Sequence, residues 1–245
     1  MSRYYLPLIL LGFLLTTGCA APMATSPARH TLSEFEKPGA PRPLVVPDPI
    51  APVNKGLYRF NYYFDEYLFL PVTKTYEFIL PDLAQQGVSN FMDNIGEIKN
   101  FLNSVLQVKP KPAGITLARF AINTTVGVAG LWDPATRMNL KRQDEDFGQT
   151  LGRYGSGGGP FIVLPVLGPS NLRDTVGYVG DTLAFSYIDP LNFDHNEDWQ
   201  VPYTVTNAID QRHRQPFRYY RSGSPFEYEW VRILYTEKRN LQIAK

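Results

Sequence analysis

Apolar residues in this chain recur with the period of an α-helix. From residue 53 to residue 70 they follow a spacing of four, three, four and three residues, which predicts a helix that ends or kinks at Pro71. Residues 90–108, 201–214 and 225–243 also predict helices, the first and last with clear apolar faces. Because no series of alternating strands is present, the predicted fold class is mainly α.

The first predicted helix carries aromatic side chains almost all round, with a few charged residues between them. A tyrosine ring is apolar and its hydroxyl stays wet, so such a helix suits a membrane–water interface. A fully packed core helix is the alternative. On the first reading, Phe60, Asn61 and Phe64 are candidate interfacial residues.

Residues 115–132 form a second long apolar segment, with Arg119 as its one charge. The segment is near spanning length, but Gly127 and Gly130 weaken the case for a transmembrane helix exposed to lipid. We expect a re-entrant or interfacial helix that ends in a glycine turn, and both glycines are candidate interfacial residues. Pro134 would then lie in the first turn of the next short helix.

The most unusual stretch is residues 144–174, which has seven glycines between Gly148 and Gly168 and no charge between Arg153 and Arg173. Glycine and proline at this density break a membrane-spanning helix, so the stretch is either a buried loop or the lining of a passage. Each arginine could meet a phosphate, or pair with Asp146 or Asp174. The candidate channel and hairpin residues are Phe147, Gly148, Leu151, Gly152, Arg153, Gly155, Gly157, Gly158, Gly159, Pro160, Phe161 and Leu164.

The N-terminal region predicts a targeting signal and a lipid anchor. Residues 1–18 have the charge and apolar run of a signal peptide, and Gly18 before Cys19 resembles a bacterial lipobox, although Leu15 lies one position early. Cys19, the only cysteine, would carry the acyl chains and anchor the protein in a membrane. Ala20 follows it, where an Asp would resemble an inner-membrane retention signal, so the resemblance implies the outer membrane. Residues 19–52 are rich in proline and predict an extended tether, followed by one domain at 53–245.

Several kinds of chemistry have no support in the sequence. The net charge of +1 gives no reason to expect nucleic-acid binding. The three histidines have no metal-ligand spacing, and no phosphate-binding loop or nucleophile elbow is present, so we expect neither a metal nor a cofactor, and no enzyme. A Ser-His-Asp site assembled from distant residues, as in a phospholipase, stays an open alternative.

A series of short motifs runs along residues 48–240 in a fixed order. They are Asp48-Pro49, Phe60-Asn61-Tyr62, Gly87 to Phe91, Asn123 to Thr125, Asp146 to Gly152, Gly159-Pro160, Leu167 to Ser170, Arg173-Asp174 and Ser224-Pro225-Phe226. These motifs resemble the VacJ/MlaA family of Gram-negative outer-membrane lipoproteins. Two positions depart from the family pattern: Ala51 stands where the family usually has Glu, and Lys55 where it has Arg. An ion pair at these positions is therefore missing, if the family uses one.

The resemblance implies a ring of amphipathic, interfacial helices in the periplasmic leaflet of the outer membrane, with one irregular Gly-rich hairpin and a central amphipathic channel. It implies that the channel takes mislocalised phospholipid from the outer leaflet and passes it to a periplasmic carrier protein, and that the protein associates with a trimeric porin. We place the hairpin at residues 147–164 and expect its glycines to let it move. A lipoprotein that binds a porin without moving lipid is the alternative.

Overall fold

The computed structural model describes residues 46–193 and 197–245, and the predicted signal peptide, Cys19 and most of the tether lie outside them. The described chain is mainly helical, as predicted. Its helices are α1 (Ala51–Phe64), α2 (Leu70–Ile79), α3 (Asp82–Leu106), α4 (Pro110–Thr125), α5 (Pro134–Arg137), α6 (Phe147–Arg153), α7 (Leu172–Ile188), α8 (Gln200–Arg214) and α9 (Glu227–Ala244). Strands β1 (Phe161–Leu164) and β2 (Gly168–Asn171) form one antiparallel hairpin, with Phe161 opposite Asn171.

Of the two outcomes predicted at Pro71, an end or a kink, the structure excludes the end of the helix. A π-helical turn at Asp65–Phe69 joins α1 to α2, and the Leu70 N–H bonds to the Asp65 carbonyl five residues back. Proline lacks an N–H, and its ring clashes with the carbonyl four residues before it in an α-helix. The wider turn before Pro71 relieves that conflict, so the helix continues to Ile79.

Prolines begin two later helices where the apolar pattern alone gave later starts. Helix α3 begins at Asp82 directly after Pro81, eight residues before the predicted start. Helix α4 begins at Pro110, where we expected only a break, because proline fits the first turn of a helix. The short helix α5 begins with Pro134 as predicted, and the Asp133 carboxylate accepts the Thr136 N–H as its cap.

The Gly-rich stretch is not one hairpin from residue 147, and that prediction is wrong. Residues Phe147–Arg153 form helix α6, capped by the Asp146 carboxylate, and the hairpin covers residues 161–171. A Cβ built on Gly177 of α7 would lie 2.3 Å from the Gly148 nitrogen. Gly148 and Gly177 therefore allow two helices to pack backbone against backbone.

The helices bury polar residues and expose apolar ones, the reverse of a soluble protein. In the described chain, nine hydrophobic residues are buried, against twenty-six polar or charged residues. Phe78, Tyr187 and Leu241 have exposed fractions of 91%, 92% and 72%. Such extensive exposed apolar surface marks a site of contact with a membrane or a protein.

Within residues 46–193 and 197–245, no helix combines the length and the apolar character needed to cross a membrane.

Candidate functional site

Two asparagines of α1 fasten the β-hairpin to the helix. Asn54 donates to the Phe161 carbonyl and accepts from the Val163 N–H, both at 2.9 Å. Two turns further along the helix, the Asn61 side-chain amide donates to the Leu164 carbonyl at 2.9 Å and accepts the Val166 N–H at 2.8 Å. Both asparagines are buried, so Asn61 holds the hairpin and does not lie on the surface of the helix. The rings of Phe60 and Phe64 stack on each other, with 6.1 Å between their centroids.

The glycine turn after α4 is a close contact with α3. Gly130 has a φ of 89°, and a Cβ there would lie 2.6 Å from the Asn94 Cβ. A Cβ on Gly127 would lie 2.3 Å from the Trp132 carbonyl oxygen. Both glycines are buried, which explains why no larger residue fits.

Arg119 is the centre of a buried ion network. Its Nε donates to the Glu97 carboxylate at 2.7 Å, and Nη2 donates to Asp133 at 3.0 Å. Its Nη1 donates to the Thr136 hydroxyl and to the Leu140 carbonyl. Burial alone would raise the pKa of Asp133, but hydrogen bonds from Thr136 and Arg119 outweigh it and lower the pKa to about 2. The network joins α3, α4 and α5.

A second network fastens the C-terminal helix α9 to α6 and α7. Arg239 makes a two-pronged contact with the Asp146 carboxylate at 2.7 and 2.8 Å, and another with Asp174 at 2.8 and 3.0 Å. Asp174 also accepts from Arg173 and from the Tyr235 hydroxyl. Burial alone would raise the pKa values of Asp146 and Asp174, but the hydrogen bonds and charge of Arg239 lower both.

The arginine predictions have different outcomes. Arg173 pairs with Asp174 at 2.8 Å, which confirms one of its two predicted roles. Arg153 is exposed on α6, and within the described chain neither Asp146 nor Asp174 forms an ion pair with it. Arg239, which lies 65 residues after Asp174, was missed because nothing in the local sequence links these positions.

A cavity of about 880 Å³ lies among α3, the hairpin, α7, α8 and α9. Its volume is within the range of cavities that bind small molecules. Its wall combines charged groups with apolar and aromatic side chains. The lining includes Met92, Asp93, Ile95, Gly96, Lys99, Arg142, Asp144, Asp146, Leu164, Leu167, Pro169, Ser170, Asp174, Tyr178, Asp181, Thr182, Phe185, Tyr203, Asn207, Gln211, Arg214, Gln215, Tyr235 and Arg239.

Of the predicted channel residues, Leu164 lines this large cavity. Gly158, Gly159 and Phe161 line a second cavity of about 260 Å³ between the hairpin, α9 and the segment around Pro47. The remaining candidates lie on α6 or in the loop after it, and their role in a channel stays a prediction. They are Phe147, Gly148, Leu151, Gly152, Arg153, Gly155, Gly157 and Pro160.

The glycines of the stretch have unlike surroundings. A Cβ on Gly148 would lie 2.6 Å from the Asp174 carboxylate, and one on Gly152 would lie 2.6 Å from Ile243. Gly155 has a φ of 89°, which favours glycine, although the space around it is open. Gly157 has open space and no such backbone requirement. Close packing therefore explains the glycines of α6, and the backbone conformation favours glycine at Gly155, whereas neither requirement applies to Gly157.

Most cavity-lining residues were missed because they lie on the polar sides of amphipathic helices. Lys99 and Asp93 of α3 lie outside the apolar face that the sequence pattern marks on this helix, yet both line the cavity. The sequence did contain a signal for these residues, namely the excess of apolar and aromatic residues on the other faces of the helices. If the outer face of a helix is apolar, its polar face must point inward.

The fold and the cavity together define a class of protein. Helices with apolar outer faces surround a charged and aromatic interior, which suits a protein embedded at the surface of a membrane. The sequence model of the MlaA lipoprotein family matches residues 46–242, and this chain belongs to that family. The match begins before the domain boundary predicted at residue 53.

Curated relatives match over part of their length. A protein of Rickettsia prowazekii described as uncharacterized is 32% identical over 69% of this chain and 66% of that protein. The intermembrane phospholipid transport system lipoprotein MlaA of Escherichia coli K12 is 37% identical over 55% of each chain, and its Haemophilus influenzae namesake is 33% identical over 67% of this chain and 66% of that one. The matched region thus spans a little under two thirds of the first of these relatives and about half of the Escherichia coli protein.

A solved structure is also similar. It comes from a study of the structural basis for maintenance of bacterial outer membrane lipid asymmetry, and it is 31% identical to this chain. The likeness has a TM-score of 0.65 and covers 80% of this chain and 98% of the other. The overall fold is thus shared with this structure.

Proposed function

We propose that this protein is an outer-membrane lipoprotein, anchored at Cys19, that removes mislocalised phospholipid from the outer leaflet and passes it to a carrier protein in the periplasm. The helices lie in the periplasmic leaflet, and phospholipid passes through the 880 Å³ cavity. The observation that carries the proposal is the reversed distribution of side chains, with charges around the cavity and large apolar residues on the outside.

A phospholipid needs an apolar surface for its acyl chains and a polar one for its headgroup, and the cavity wall contains both kinds of side chain. Exposing two acyl chains of about 30 methylene groups to water costs on the order of 20 kcal/mol. Moving a charged headgroup through hydrocarbon is also costly. The cavity offers ionised groups such as Lys99 and Arg214 to a headgroup, and Ile95, Leu164 and Phe185 to acyl chains.

We further propose that the protein performs no chemical reaction and needs no cofactor. Transfer needs a path and partners, and directionality then comes from the carrier. The exposed aromatic surface of α1 and the π-helical turn after it, which includes stacked Tyr63 and Tyr67, is the surface we assign to a trimeric porin. The names of the relatives in Escherichia coli and Haemophilus influenzae support phospholipid as the cargo.

The test is a strain that lacks the gene. We expect more phospholipid on its surface and greater sensitivity to detergent, and the intact gene should reverse both. Surface phospholipid that stays at the wild-type level would rule out the proposed function.

A cavity variant separates transport from simple porin binding. Gly96 lines the cavity, and a Cβ there would first meet the end of the Arg142 side chain at 3.3 Å. Gly96→Trp should therefore fill the cavity and leave the exposed face of α1 unchanged. We expect the variant to retain the porin on purification but to leave phospholipid on the surface. A pure adaptor would retain the porin and also keep surface phospholipid low.

A further inference from the structure

The charged side chains of the cavity differ in how they are neutralised. Arg142 and Arg214 both pair with Asp93, and Arg239 pairs with two carboxylates. Across residues 46–193 and 197–245, Lys99 and Asp181 are the two charged residues of the cavity wall that have no ion pair within 4.0 Å. The complete set of charged lining residues is Asp93, Lys99, Arg142, Asp144, Asp146, Asp174, Asp181, Arg214 and Arg239.

Lys99 and Asp181 belong to adjoining walls of the cavity. Asn103, one turn after Lys99 on α3, donates its side-chain N–H to Asp181 of α7 at 2.7 Å. The other carboxylate oxygen of Asp181 accepts the Phe147 N–H at 3.0 Å. The Lys99 charge is close enough to act on the Asp181 carboxylate, although the two groups make no direct contact.

A ligand of opposite charge would stabilise both Lys99 and Asp181. Burial raises the pKa of Asp181, and the hydrogen bonds from Phe147 and Asn103, with the charge of Lys99, offset burial only in part. A cation next to this carboxylate would stabilise its ionised form. Lys99 likewise offers three ammonium donors to an anion.

We propose that Lys99 and Asp181 form a headgroup subsite for a zwitterionic phospholipid in which an ammonium follows the phosphate. Lys99 binds the phosphate, and Asp181 binds the ammonium. The inference rests on the proposed function and adds a preference among lipids to it. A phosphatidylethanolamine headgroup satisfies both residues, whereas a phosphatidylglycerol headgroup has no cation for Asp181.

The subsite can be tested with purified full-length protein in detergent. The protein is mixed with equal amounts of phosphatidylethanolamine and phosphatidylglycerol that have the same acyl chains, and the retained lipids are measured by mass spectrometry. Lipid retained by Gly96→Trp gives the amount bound outside the cavity, which is subtracted. We expect the wild-type protein to retain phosphatidylethanolamine about tenfold over phosphatidylglycerol, since one hydrogen bond between charged groups has about this effect.

Variants that remove one charge each test which part of the headgroup Asp181 and Lys99 bind. Asp181→Asn should remove the preference by lowering retention of phosphatidylethanolamine alone. Lys99→Met should lower retention of both lipids, and Lys99→Arg should restore it. Lys238 is exposed on α9 and does not line the cavity, so Lys238→Met is the matched control and should have no effect.

The outcomes separate the subsite from the proposed function. If the wild-type protein retains no more lipid than Gly96→Trp, the cavity does not bind phospholipid and the proposed function fails. If the wild-type protein retains lipid but Asp181→Asn keeps the wild-type ratio, the subsite is wrong and the function is not. Should Asp181→Asn fail to fold, Lys99→Met decides, because it breaks no ion pair, and unchanged retention in that variant overturns the subsite.

Discussion

Replacing Arg239 by methionine should separate the C-terminal helix from the wall of the cavity. Arg239 makes four hydrogen bonds to two carboxylates, Asp146 and Asp174, at 2.7 to 3.0 Å. Methionine keeps much of the apolar stem and removes the charge. The variant therefore leaves two largely buried carboxylates without their common cation.

Removing one partner of a buried ion pair costs about 3–5 kcal/mol, because the remaining charge is left without a partner. Arg173 still pairs with Asp174, so we expect the lower part of that range. In a domain of this size, 1 kcal/mol corresponds to about 2–4 °C, and the midpoint should fall by roughly 6–12 °C. The assay is thermal unfolding in detergent, followed by circular dichroism.

The neighbouring exposed residue provides the control. Lys238→Met removes a positive charge from the same helix and should change the free energy of unfolding by no more than about 0.5 kcal/mol. In a double-mutant cycle with Asp146→Asn, the double variant should lose less stability than the sum of the two single losses, since both substitutions break the same contact. A loss below about 1 kcal/mol for Arg239→Met, or full additivity, would refute the reasoning.

Three further results are expected. Gly177→Ala should lower the melting temperature strongly, because its Cβ would lie 2.3 Å from the Gly148 nitrogen, whereas Gly157→Ala meets no atom within 4 Å and should leave it nearly unchanged; equal effects would contradict the packing. In acid, unfolding monitored against pH should show the Asp133 contribution complete above about pH 3.8 and lost as the pH falls through about 2, because folding lowers its pKa. Arg119→Met should reduce that contribution, since Thr136 and Asn123 still donate to Asp133, and should cost about 3–5 kcal/mol of stability. An unchanged acid profile in this variant would refute the role of Arg119.

Local patterns predicted the helices better than their ends. The apolar spacing of residues 53–70 was enough to predict a helix, because packing on one face follows the helical period. The passage of that helix through Pro71 depends on a π-helical turn, which the spacing does not encode. The start of α4 at Pro110 depends on the position of the proline within the turn, and the sequence allowed either a break or a start.

The site was harder to predict because its residues meet only in the folded chain. Asp146 and Asp174 were singled out with nearby arginines, yet their common partner is Arg239. Glycines were interpreted as freedom to move, whereas Gly148 allows α6 and α7 to approach closely. Composition pointed to apolar outer faces, but the inward direction of the polar faces, including Lys99, required the fold.

A single thiol in the cavity tests most directly whether phospholipid passes through it. Thr182 lines the cavity, and Thr204 lies on α8 outside the lining. Each hydroxyl donates to the carbonyl four residues before it, at 2.8 Å. Thr182→Cys and Thr204→Cys are thus matched sites for a bulky thiol reagent, and the treated wild-type chain controls for Cys19.

The measurement is the amount of phospholipid on the surface of cells that carry each variant, before and after complete modification of the thiol. We predict that modifying Thr182→Cys raises surface phospholipid to the level of the deletion strain, while modifying Thr204→Cys changes nothing. Surface phospholipid that stays low after complete modification of Thr182→Cys would contradict passage through the cavity.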